Sequence, residues 1–235
     1  MVKSKGADPE PTTSLRALIL EPSLELALQV HSVLTSLTTG LPLKIHLMTA
    51  GFGVEIEKDV DILVSTPGSL KHFGLSSLFG TLEHIVLDEA DALLDGGTKK
   101  NVYNILRAVN DVKVARDNGE KDPRPLQFIF SAATLPYTAL KSPLMFIEDH
   151  YPGMEKISTL GVHKPVVTLK QHFIEPQGSQ KLTSLIKLLN ESGRKKTLIF
   201  VRTLEQAKNL GDLLVRLPLF PLPGPCKLTG SLAFT

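Results

Sequence analysis

Residues 88–91, Asp-Glu-Ala-Asp, place three carboxylates in four positions, directly after the apolar run Ile85-Val86-Leu87 and directly before Ala92-Leu93-Leu94. The first run reads as a buried strand and the second as a short helix, so the carboxylates stand at a strand-to-helix junction. Carboxylates there are costly unless something positive meets them. In an open parallel sheet the ligand crevice lies beyond the carboxyl ends of the strands. Asp88 at such an end suits a hydrated Mg2+ held through water, an ion that combines one or two carboxylates with phosphate oxygens. Glu89 suits the orienting and deprotonation of an attacking water in phosphoryl transfer. Asp91, on the first helical turn, is favoured by the helix dipole, and an acidic helix start worth roughly a few tenths of a kcal/mol would by itself explain all three.

The elements needed to position these groups can be read on either side. "LRALILEP" (15–22) is a short apolar strand stopped by proline, and "SLELALQVHSVLTSL" (23–37) opens on a serine cap and repeats apolar residues at helical spacing. "LKIHLMT" (43–49), "VDILVST" (60–66), residues 84–88 and "LQFIFSAAT" (126–134) read as further strands, with helical stretches around 89–94 and 99–110 and a charged loop at 114–125. Strands alternating with helices predict an α/β lobe with a parallel sheet. The pattern then restarts, with strands expected at 166–176 and 194–201 and helices at 179–192 and 203–217. The stretch 146–165 reads as an irregular link. The resulting organisation is a disordered tail over 1–14, a first lobe over 15–150, a connector over 151–165 and a truncated, poorly packed second lobe over 166–235.

Bulk composition excludes more than it selects. The 235 residues are 42% hydrophobic and 21% charged with a net charge of +2, ordinary for a globular protein and permissive for nucleic acid. The single cysteine, Cys226, leaves no internal disulfide partner. No apolar run reaches the roughly 20 residues that span a bilayer, so no membrane is expected. The opening residues lack the apolar core of a signal peptide.

Short motifs follow one another in a fixed order: "PSLELALQ" (22–29), "STPGSL" (65–70), Asp88-Glu89-Ala90-Asp91, "SAATLP" (131–136), "TLIFVRT" (197–203) and "LTGSL" (228–232). The series resembles the DEAD-box family of ATP-dependent RNA helicases, whose patterns include P-T-R-E-L-A-x-Q, T-P-G-R-L, the namesake D-E-A-D, S-A-T-x-P and H-G-x-x. The resemblance implies a parallel-sheet RecA-like lobe lacking its N-terminal P-loop unit, then an incomplete second RecA-like lobe. It implies ATP and Mg2+ as cofactors of the complete protein, with Asp88, Glu89 and Asp91 catalytic and Asp88 holding the metal through water. Ala132, Ala133 and Thr134 would form the coupling motif, with Thr134 linked to Asp91. RNA, mainly its backbone, would be met by Pro22, Glu25, Gly51, Thr66, Pro67, Gly68, Thr203 and Gly230. Small residues and exposed amides do allow close approach to phosphates without reading sequence, although Thr66-Pro67-Gly68 out of context is a simple turn and Thr203 a helix N-cap.

Departures from the family pattern carry their own expectations. The arginines of the first two motifs are Leu24 and Ser69 here, and each guanidinium lost removes a phosphate contact worth about 1.5–3 kcal/mol. Counted back from Pro136, the serine of S-A-T falls on Ala132, and Ser131 one position earlier points the other way on a strand. Phosphate cradling in this class uses G-x-x-x-x-G-K-[ST], and no Gly-Lys dipeptide occurs in the chain, "DGGTKK" (95–100) lacking the order. Two lost phosphate contacts already amount to roughly 3–6 kcal/mol, or a hundredfold to ten-thousandfold in affinity. With the arginine motifs of the second lobe also absent, this chain alone is expected not to hydrolyse ATP.

Three readings follow: a partial ATP-dependent RNA helicase, a non-catalytic RNA-binding or scaffold protein that keeps the helicase shape, and a helicase acting on DNA. T-P-G with A-A-T-L-P and E-L-A favours RNA over DNA, and the three intact carboxylates favour the first reading over the second. "STPGSL", "DEADALLD" and "HKPVVTLKQHFIEPQGSQKL" resemble mitochondrial DEAD-box helicases linked to ribosome assembly, which implies ribosome-assembly partners and a mitochondrial location, with a nucleolar or nuclear one as the alternative.

Overall fold

The computed structural model describes residues 14–49, 59–70, 78–118, 125–134, 142–159, 168–176, 180–192 and 196–216. Five short strands carry the first of two units, 1–166 and 167–235, into which the chain divides. They are β1 (Ala17–Leu20), β2 (Ile45–Met48), β3 (Ile62–Ser65), β4 (His84–Leu87) and β5 (Gln127–Phe130). All pair in parallel, in the order β2-β3-β1-β4-β5. The inner strands have nearly continuous apolar sequences because helices cover both faces of such a sheet. Leu18, Leu20, Leu63, Ile85 and Leu87 are fully buried and pack in one core with Phe79, Leu93, Val102 and Val109. Truncating one of them, as in Ile85→Ala, costs about 2–5 kcal/mol.

Local chemistry explains the helices. Helix α1 (Leu24–Leu37) begins where the Ser23 side chain accepts a hydrogen bond from the Leu26 amide at 3.3 Å. A single turn, α2 (Pro67–Leu70), follows β3, and another, α3 (Ala90–Leu93), follows β4. Helix α4 runs Lys99–Asp117. Residues 114–117, expected as loop, are therefore helical; Lys113 pairs with Asp117 across one turn at 2.7 Å, and no glycine or proline intervenes before Gly119. Helix α5 (Pro143–His150) takes up the start of the expected irregular link. Ser142 caps it and Pro143 occupies its first turn, an N-terminal signal. Phe146 then stacks on Tyr103 of α4 with centroids 4.5 Å apart. Tyr151 packs on Phe128 and Phe130, and Met154 lies against the core, so the beginning of 151–165 adheres to the first unit.

The route of the chain through the sheet decides where a ligand belongs. From β1 the connection through α1 leads to β2 on one side of the sheet, whereas from β4 the connection through α3 and α4 leads to β5 on the other. β1 and β4 are neighbours, so their carboxyl ends flank the point at which the winding reverses. A crevice opens at such a point in doubly wound sheets.

The second unit, among the described residues, has helices α6 (Lys181–Glu191) and α7 (Leu204–Arg216) and no strand. The strands expected at 166–176 and 194–201 form no ladder over the described parts, 168–176 and 196–201. A parallel strand persists only with neighbours to bond and faces to bury, and here Phe173 is 91% and Phe200 77% exposed. No helix of the described residues is long and apolar enough to cross a membrane.

Candidate functional site

The candidate residues of the first unit gather at one edge of the sheet. Pro22 follows β1, Thr66 and Pro67 follow β3, Asp88 follows β4, and Ala132–Thr134 follow β5. Register brings the central pair together: Leu20 pairs with Leu87, and the Asp88 amide donates to the Leu20 carbonyl at 3.1 Å. Asp88 and Glu21 are thus side by side at the crevice.

Asp88, Glu89 and Asp91 are half-buried. Asp88 Oδ1 accepts from the Glu89 amide at 3.1 Å, and Asp91 Oδ1 from the Ala92 amide at 3.0 Å. These local bonds fix two carboxylates while leaving oxygens directed elsewhere. Glu89 is the one non-glycine residue among those described with a positive φ, at 49° with ψ 49°. A left-handed conformation costs an L-residue about 1–2 kcal/mol, and such strain collects at functional sites. Burial raises the Glu89 pKa above the ordinary value, and the charges of Asp91 and Asp88 raise it further. A carboxylate moved this way is a better proton acceptor for water.

Three hydrogen bonds join the segment after β5 to the end of β4 and the turn that follows it. The Ser131 amide donates to the Leu87 carbonyl at 2.9 Å, the Ala90 amide donates to the Ser131 carbonyl at 2.8 Å, and Thr134 Oγ1 donates to Asp91 Oδ2 at 3.0 Å. Ala132 continues the alternation of Phe128 and Phe130 and packs against the core, while Ser131 and Ala133 are exposed. Ser131 therefore acts through its backbone, a role that side-chain reasoning about the motif did not anticipate.

The turn after β3 is closed by Thr66 Oγ1 and Ser69 Oγ, 2.9 Å apart. Ser69, where the family pattern has arginine, thus bonds within the turn. Pro67 is buried and Gly68 exposed, and a Cβ on Gly68 would meet nothing within 4 Å. Glu25 is exposed on the first turn of α1. Thr203 lies in the second unit and caps α7, its Oγ1 accepting from the Gln206 amide at 3.2 Å while Gln206 Oε1 accepts from the Arg202 amide at 3.2 Å. Gly51 and Gly230 lie outside the described residues.

Sequence reasoning missed Glu21. It is wholly buried, and neither carboxylate oxygen has a hydrogen-bond partner among the described residues. Burial, then the charges of Asp88 and Glu89, push its pKa up from 4.5 to about 7. The signal was present as a charged residue closing the apolar run "LIL" just before Pro22. The half-buried carboxylate of Asp88, rather than the closed-off one of Glu21, is the hard oxygen donor that suits a Mg2+ ion held through water. The triphosphate is a different matter, since no G-x-x-x-x-G-K-[ST] loop stands in the chain to receive it.

Known proteins share these features. The sequence profile of the DEAD/DEAH box helicase family matches residues 4–142. The chain is 26% identical over 203 residues to DEAD-box ATP-dependent RNA helicase 39 of Arabidopsis thaliana, covering 82% of this chain and 31% of that protein. It is 28% identical to ATP-dependent RNA helicase eIF4A of Lodderomyces elongisporus (87% and 49% covered) and 30% identical to ATP-dependent RNA helicase RhlB of Yersinia pestis (85% and 45%). The chain thus spans less than half the length of each of these relatives. In structure it is similar to S. cerevisiae Dbp5 bound to RNA and ADP BeF3, with a TM-score of 0.68 at 21% identity over 89% of this chain and 50% of that one. The DUF1998 helicase MrfA is also similar, with a TM-score of 0.58 over 86% and 31%. A parallel sheet ending in Asp-Glu-Ala-Asp, tied by Asp91 to a threonine after the next strand, agrees with the profile: the chain belongs to the DEAD/DEAH box helicase family.

Proposed function

We propose that this chain is the nucleotide-sensing and RNA-contacting middle of an ATP-dependent RNA helicase, and that by itself it does not hydrolyse ATP. The observation that supports the reading best is the placement of Asp88, Glu89 and Asp91 at the winding reversal, with Asp91 bonded to Thr134, in a chain without a phosphate loop. Bound Mg-ATP would supply the phosphoryl group. The chain's own residues would hold the cation's water (Asp88), accept a proton from the attacking water (Glu89) and relay the state of the site to the segment after β5 (Asp91 and Thr134). Pro22, Glu25, Thr66, Pro67 and Gly68, with Gly51, Thr203 and Gly230 from elsewhere, would meet the RNA backbone.

The competing reading is a non-catalytic RNA-binding or scaffold protein. Both readings predict binding of single-stranded RNA that is indifferent to base sequence and weakens steeply with salt. They separate on the complete protein: RNA-stimulated phosphate release lost in Glu89→Gln supports the helicase, and its absence supports the scaffold. A role in ribosome assembly within mitochondria rests on the sequence resemblance alone. Fluorescent tagging of the complete protein tests the location, with nucleolar or nuclear signal as the contrary result.

A further inference from the structure

Ser65 closes β3 with a hydroxyl at the end of an apolar run, and it is wholly buried. Leu63 and Val64 before it are equally buried and apolar, so burial alone does not call for a hydroxyl there. A buried hydroxyl is costly unless it is bonded. Ser65 Oγ donates to the Met48 carbonyl at the end of β2 at 2.8 Å and, at the longer distance of 3.2 Å, to the Thr66 carbonyl at the start of the following turn. The Thr66 carbonyl also accepts from the Ser69 amide at 3.0 Å, the bond that closes that turn. On the other side the Ser65 carbonyl accepts from the Glu21 amide at 2.9 Å, directly before Pro22. Register places Ser65 between Met48 and Leu20. One buried residue therefore ties the ends of β2 and β1 to the turn after β3, and two of those three exits carry the residues read as RNA contacts, Pro22 and Thr66-Pro67-Gly68.

We propose that Ser65 is a positioning residue of the RNA interface: its hydroxyl and carbonyl hold Pro22 and the turn Thr66-Pro67-Gly68 in one fixed relation to the RNA backbone, without Ser65 touching RNA itself. This rests on the reading of Pro22 and Thr66-Pro67-Gly68 as RNA contacts and adds to it a residue behind them. A binding constellation works only when its members are held to within about 0.5 Å and 10–20° by supporting hydrogen bonds. The Thr66 and Ser69 hydroxyls bond to each other within the turn, whereas the Ser65 hydroxyl bonds both the turn's first carbonyl and the neighbouring strand. Its loss leaves the turn closed but less firmly set against the sheet.

The test is binding of a fluorescein-labelled oligouridylate to the full 235-residue chain, followed by anisotropy at one low salt concentration, with melting temperatures measured in parallel. Ser65→Ala is expected to weaken binding about two- to tenfold, the equivalent of one hydrogen bond, at a temperature where it is fully folded. Val64→Ala removes buried methyls from the same strand but no hydrogen bond; it is expected to lower the melting temperature and leave affinity unchanged. Equal weakening by Val64→Ala would mean that affinity merely follows stability, and overturns the positioning role. Native affinity in Ser65→Ala, while Gly68→Ala binds more weakly, overturns the role of Ser65 and spares the interface. Native affinity in both variants, or no binding by the native chain, overturns the interface and the role of Ser65 with it. Should Ser65→Ala lack native circular dichroism, Ser65→Cys, near in shape with a weaker donor, takes its place in each comparison.

Discussion

Replacing Glu21 by glutamine in metal-free buffer should make the first unit more stable at neutral pH, an unusual result for a fully buried residue. The folded-state pKa is raised to about 7 from an ordinary 4.5. Below the ordinary value both folded and unfolded chains hold the proton, and the stability is complete. Between 4.5 and about 7 the unfolded chain releases its proton while the folded chain retains it, so stability falls as pH rises. Above the folded pKa the loss is constant at about 3 kcal/mol, from the difference between the two values at about 1.4 kcal/mol per pKa unit. Glutamine matches the protonated carboxyl in shape and is equally unpartnered, so the variant and the native chain should have similar stability near pH 4. They should then diverge by about 3 kcal/mol by about pH 8. Urea unfolding followed by circular dichroism across that range measures it. Parallel stability profiles for the two proteins would refute the reasoning, because they would mean that Glu21 is ionised, and compensated, throughout.

Other consequences can be checked with the same material. Thr134→Ala and Asp91→Asn should be coupled in a double-mutant cycle by about 0.5–1.5 kcal/mol, the worth of one hydrogen bond to a charged group with an exposed partner; additivity would deny the bond. Gly68→Ala should leave stability unchanged or raise it by about 0.5–1 kcal/mol, since the added methyl meets open space in a helical turn. The same change should weaken single-stranded RNA binding in a salt-titrated anisotropy assay, and unaltered affinity would remove Gly68 from the interface. Glu89→Gly should stabilise the fold by about 1–2 kcal/mol by relieving a left-handed backbone, while abolishing any hydrolysis by the complete protein. Limited proteolysis should cut within 196–216, where α7 has no buried residue, before it cuts the strands of the first unit.

The first unit was legible because its signals are local and agree with one another. Apolar runs of four to eight residues ended at proline, threonine-proline or the acidic junction, and each became a strand. Ser23 announced α1 by a cap whose bond is present. Where reading failed, a local cue was passed over and a tertiary contact reinforced it: the Ser142 cap with Pro143 and the Tyr103–Phe146 stack turned part of an expected link into α5. In the second unit the apolar patterns of 166–176 and 194–201 were strand-like, but pattern states only what a segment would bury. With Leu198 74% exposed, nothing among the described residues buries it.

At the site, motif order identified Asp88, Glu89, Asp91 and Thr134, whereas the conformation of Glu89 and the isolation of Glu21 needed three dimensions. Backbone strain has no sequence signature in a glutamate. An orphaned carboxylate is visible only once its surroundings are known, although a glutamate closing a buried strand was a clue.

On the proposed function these carboxylates serve an ATP-driven RNA helicase, and the 235-residue chain by itself does not hydrolyse ATP. The most direct test is RNA-stimulated phosphate release, measured side by side for the 235-residue chain, the complete protein encoded by the full-length transcript, and that protein with Glu89→Gln. Release by the complete protein alone is the expected result. Hydrolysis by the 235-residue chain, or full activity in the Glu89→Gln protein, would contradict it.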